Sequence, residues 1–148
     1  ETILGRALIT QTWDLYLNRF PCYDREAIQL LKPPLQSITH INYFDNVDIA
    51  QTWSSSEYVV VTDSYYGIIY PGRNYSYPAT RDFPKSVNVR FIAGYGDSAA
   101  DVPDDIKQAI LLLVGHFERN REATTGFTVS EIPMGVSSLL APYKIHSI

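Results

Sequence analysis

The chain has 148 residues, 45% hydrophobic and 19% charged, with 12 basic against 16 acidic side chains and a net charge of −4. Such a length suits one domain with a real core, and the composition excludes a disordered tail, a collagen-like fibre and a coiled coil. The acidic balance argues against a general electrostatic grip on DNA, and a single cysteine, Cys22, excludes an internal disulfide.

At the N-terminus, Glu1-Thr2-Ile3-Leu4-Gly5-Arg6 reads as the last turn of a helix closed by Gly5. Strands follow. Leu8 to Phe20 alternates, with Trp13, Leu15 and Leu17 on one face and Asp14, Tyr16 and Asn18 on the other, until Pro21 breaks it. Ala27 to Leu31 is a short apolar run stopped by Pro33-Pro34. Leu35 to Phe44, Ile49 to Trp53, Tyr58 to Thr62 and Tyr66 to Tyr70 follow at short spacing, separated by Asp, Asn, Ser and Gly turn signals. A proline-punctuated loop, Pro71 to Pro84, leads to the last predicted strand, Val87 to Ala93. The spacing predicts an antiparallel meander or small barrel.

One long helix is predicted from Pro103 to Arg121. Proline suits the first turn, and Asp104 and Asp105 complement the positive helix end. Ile106, Ile110, Leu113, Val114 and Phe117 recur at helical spacing and are the predicted helix core. Leu111 and Leu112 widen the apolar surface past half the circumference, so the helix is expected to pack against the sheet and against another helix or subunit. Gly135 to Ala141 predicts two helical turns before Pro142. Ile132, Met134, Val136, Leu139, Leu140, Tyr143 and Ile145 give the tail more apolar groups than a free segment carries, so it is expected to dock. The fold class is α+β: residues 1–6 end a helix, 7–97 form a β-rich insertion, 101–142 a helical part and 143–148 a tail.

Chemistry finds little footing. Gly94-Tyr95-Gly96-Asp97-Ser98-Ala99 fits a dinucleotide-binding pattern, but the helix begins too far on and no βαβ unit follows, so a strand-ending turn is the reading. His116 and Glu118 point to different sides of a helix and make poor co-ligands; Glu118 and Glu122 share a face but lack a nearby His. Cys22 has no feature that would make it a thiolate, His40 and His146 stand alone, and Ser54-Ser55-Ser56 is a loop rather than a nucleophile elbow. No catalytic group, cofactor or metal site is expected. The aromatic complement is weighted to tyrosine, 11 against 6 Phe and 2 Trp. Tyr65, Tyr66, Tyr70, Tyr75 and Tyr77 are expected to make inter-subunit or local aromatic contacts, with a carbohydrate-stacking surface as the alternative.

In order along the chain stand Leu4-Gly5-Arg6-Ala7-Leu8-Ile9-Thr10-Gln11-Thr12-Trp13, Pro33-Pro34-Leu35-Gln36-Ser37-Ile38, Ala93-Gly94-Tyr95-Gly96, Val102-Pro103-Asp104-Asp105-Ile106-Lys107-Gln108-Ala109-Ile110, Glu118-Arg119-Asn120-Arg121-Glu122, and Ile132-Pro133-Met134-Gly135-Val136 leading to Leu139-Leu140-Ala141-Pro142-Tyr143. In this ordered set the chain resembles the tailed-bacteriophage head-to-tail connector (adaptor) family, prophage and gene-transfer-agent relatives included. The resemblance implies a helical bundle interrupted by the β-rich insertion, with the family's first helices preceding Glu1. It further implies a non-enzymatic virion protein at the head-to-tail junction, assembled in the bacterial host cytoplasm. Its expected partners are copies of itself in a ring, dodecameric in the family, the portal, and a stopper or tail-completion protein. Genomic DNA would pass through without sequence-specific binding, and no membrane is involved. The apolar tail residues Ile132 to Ile145 would then dock on the portal or a neighbouring subunit.

Overall fold

The computed structural model describes residues 1–23, 26–119 and 134–145 of the chain. Every predicted strand is present: β1 (Gln11–Leu17), β2 (Ile28–Leu30), β3 (Leu35–Phe44), β4 (Ala50–Thr52), β5 (Tyr58–Val61), β6 (Gly67–Pro71) and β7 (Val87–Ala93). Two helices follow, α1 (Asp104–Arg119) and α2 (Met134–Leu140). Antiparallel ladders join the strands into a four-stranded sheet, β1-β7-β3-β4, and a three-stranded sheet, β2-β6-β5.

The α+β expectation holds, but the sheet is not a simple meander. β7, last in sequence, lies between β1 and β3. Its inward residues Val87, Val89, Phe91 and Ala93 are all buried, and a central position buries such a face best. The two sheets share one core, in which Ile28, Leu30 and Ile69 of the smaller sheet meet Leu35, Ile41, Val87 and Val89 of the larger. Phe20 and Trp53 close it from the loops, with ring centroids 5.2 Å apart in an edge-on arrangement.

β3 does not keep a strict alternation. Its pairing with β7 shifts between Leu35 and Ser37 and again between Ile38 and His40. Each shift moves the inward phase by one residue, so Leu35, Ile38 and Ile41 all reach the core at a spacing of three.

A second core joins the helices to the start of the chain. Leu4, Val102, Ile106, Ala109, Val136 and Leu140 are buried in it, and Leu8, Tyr95, Leu113, Leu139 and Tyr143 pack around them. α1 starts as expected: Asp104 and Asp105 occupy its first turn, and Lys107 pairs with Asp104 at 2.7 Å.

The expected helix core needs correcting. Ile106 is buried and Leu113 packs against this core, but Ile110, Val114 and Phe117 are exposed. The physical reason is rotational. At 100° per residue, Ile106, Ala109 and Leu113 cluster on one stripe, while Ile110, Val114 and Phe117 form a second stripe beside it. Only the first stripe meets α2 and the N-terminal segment.

Candidate functional site

The surfaces that matter are built where the two ends of the described chain meet. Glu1 to Gly5 makes the expected closing turn: the Gly5 N–H donates to the Glu1 carbonyl at 2.8 Å, and Gly5 takes φ 70°. Residues 141–145 run alongside. The Ile145 N–H donates to the Leu4 carbonyl at 3.1 Å, and the Arg6 guanidinium donates to the Tyr143 carbonyl at 2.6 Å. The Tyr65 hydroxyl donates to the Lys144 carbonyl, with Arg6 lying 5.4 Å over the Tyr65 ring. The Tyr143 hydroxyl donates to Asp105 at 3.1 Å, and that bond holds the phenol above its usual range.

This arrangement places the candidate interface residues of the tail. Val136 and Leu140 are buried in the chain's own second core, and Leu139 and Tyr143 pack against it. The Ile145 side chain lies against Gly5. These five side chains therefore seal the chain on itself rather than standing free. Ile132 and the Met134 side chain lie outside the described residues, as does His146.

The tyrosine group divides. Tyr77 belongs to the first core: it stacks on Phe20 at 5.5 Å and its hydroxyl donates to the Glu26 carbonyl at 2.7 Å. Tyr70 is half-buried on β6. Tyr65 and Tyr66 meet edge to face at 5.6 Å beside the tail. Tyr75 is exposed and sits over Gly72. The five are spread over the core, the tail contact and a loop, which is local packing more than one flat stacking surface.

Other sequence candidates resolve into structural roles. Gly94, at φ +132°, lets the Ile9 backbone cross the end of β7; a side chain there would meet the Ile9 carbonyl oxygen at 2.5 Å. A side chain at Gly96 would overlap Asp101, whose carboxylate accepts from the Ser98 N–H and hydroxyl at 2.9 Å. The glycine pattern is thus the crossing of two backbones. Across β1 and β7, Asp14 accepts from Arg90 Nε at 2.9 Å and Nη2 at 2.8 Å, and this pairing holds its carboxyl below the usual range. Cys22 is exposed. Among the described residues no group of His, Cys, Asp or Glu could hold a metal ion, and no helix is long and apolar enough to cross a membrane.

Two exposed apolar surfaces remain that the sequence reading did not separate. One is the outer stripe of α1, Ile110, Val114 and Phe117, bordered by Leu111. The other lies at the far end of the sheet, where Phe44, Val47, Ile49 and Phe83 are exposed around the turn between β3 and β4. Sequence could have signalled the second, since Val47 and Ile49 flank Asp48 in a turn that ordinarily carries polar residues.

Residues 74–144, from the loop after β6 through β7, α1 and α2, match the family model described as phage gp6-like head-tail connector protein. No curated protein matches the chain. Among solved structures, a chain of the virion of a native gene transfer agent particle is similar in fold, with a TM-score of 0.76 and 20% identity over 99% of this chain and 71% of that one. A chain from the neck of the native particle, computed with C12 symmetry, gives a TM-score of 0.75 and 20% identity over 99% of this chain and 76% of that one. A chain from the neck of the empty particle, computed with C6 symmetry, gives 0.75 and 20% over 99% and 71%. Residues 74–144 thus resemble the phage gp6-like head-tail connector family in sequence, and nearly the whole chain has the fold of the gene-transfer-agent chains.

Proposed function

We propose that the chain is a structural subunit of a virion head-to-tail connector, with no catalytic step of its own. The observation that carries this reading is a double one: the connector family match over residues 74–144 and the likeness in fold to gene-transfer-agent neck chains over 99% of the chain. In this reading copies form a ring below the portal, extend the DNA channel and offer a docking surface to the stopper or tail. The net charge of −4 fits a conduit, since a basic lumen would hold the DNA that must slide through it. A ring contact is heterologous, so each subunit needs two unlike contact surfaces, and the chain carries exposed apolar surfaces on α1 and on the sheet end.

The test is assembly of particles without this protein. DNA-filled heads that lack tails, and that gain them when the purified protein is added, are the expected result. Tailed, infectious or transfer-competent particles formed in its absence would overturn the proposal.

A further inference from the structure

We draw no further inference here: the strongest candidate, the apolar surface patch of Phe44, Val47, Ile49 and Phe83 around the turn between β3 and β4, carries none because nothing in the structure shows what covers it.

Discussion

Arg6 donates from Nε to the Tyr143 carbonyl at 2.6 Å, joining residues 137 positions apart. The same guanidinium lies over the Tyr65 ring, and the Tyr65 hydroxyl takes the following carbonyl, Lys144. One cation therefore fixes the tail against the N-terminal turn and the loop before β6 together. Removing it should loosen all three. Arg6→Ala is expected to cost about 1–2 kcal/mol, the range for a hydrogen bond from a charged donor that is partly solvated. Amide exchange at Ile145, whose N–H is bonded to the Leu4 carbonyl, should rise with it. Tyr65→Phe keeps the ring under Arg6 and should cost less than about 1 kcal/mol. Unchanged exchange at Ile145 in Arg6→Ala would show that the buried side chains alone hold the tail.

The two stripes of α1 separate cleanly by truncation. Ile106 is 1% exposed in the second core, so Ile106→Ala should cost about 2–5 kcal/mol. Phe117→Ala removes more atoms but from solvent, and should change chain stability by less than about 0.5 kcal/mol. Urea titration of both variants at a concentration where the chain is monomeric makes the comparison. A loss above about 2 kcal/mol at Phe117 would mean that the stripe is covered within the chain.

The contrast between Ile106 and Phe117 also marks where the sequence was legible. Strand periods gave β3 and β7 to the residue, because Val87 to Ala93 alternates without interruption and Pro34 and the Asp45-Asn46 turn bound Leu35 to Phe44. Periodicity on α1 reported only that apolar residues recur every three or four positions. Two adjacent stripes satisfy that count as well as one, so the buried stripe could not be told from the exposed one without knowing where α2 lies. The paired shifts in β3 were equally hidden, since they are fixed by the partner strand. The apolar count of the tail showed that it packs, but not that Val136, Leu139, Leu140, Tyr143 and Ile145 pack within the chain itself, where the portal or a neighbouring subunit was expected. The tail's seat, against Leu4 and Ile106, depends on contacts across more than 25 residues of sequence, which no local pattern encodes.

The Asp14–Arg90 pair gives a pH signature. Arg90 holds the Asp14 carboxyl below its ordinary value, so the group contributes stability above about pH 4, the unfolded carboxylate range. That contribution is lost as pH falls through the lowered value. Asp14→Asn should remove this part of the acid transition and cost about 0.5–1 kcal/mol at neutral pH, the range for a solvent-facing pair. Melting temperatures of parent and variant should converge as pH falls below about 4, the carboxylate range. A constant offset down to the lowest pH would assign the loss to packing instead.

Gly94 and Gly115 make opposite predictions from the same substitution. Gly94 holds φ +132°, and an added Cβ would press on the Ile9 carbonyl oxygen and the Thr10 nitrogen. Backbone strain and that clash act together where the N-terminal segment crosses β7, through the Thr10 N–H bond to the Gly96 carbonyl at 2.9 Å. Gly94→Ala is therefore expected to cost about 3 kcal/mol or more. Gly115 lies within α1 with open space around it. Gly115→Ala adds no clash and removes the flexibility of a glycine in mid-helix, so it should stabilise the chain by about 0.8–1 kcal/mol. Thermal melts of the two variants measure both signs. A tolerated Gly94→Ala would mean that the crossing is looser than its geometry, and that the glycines after β7 serve something other than the close approach of two backbones.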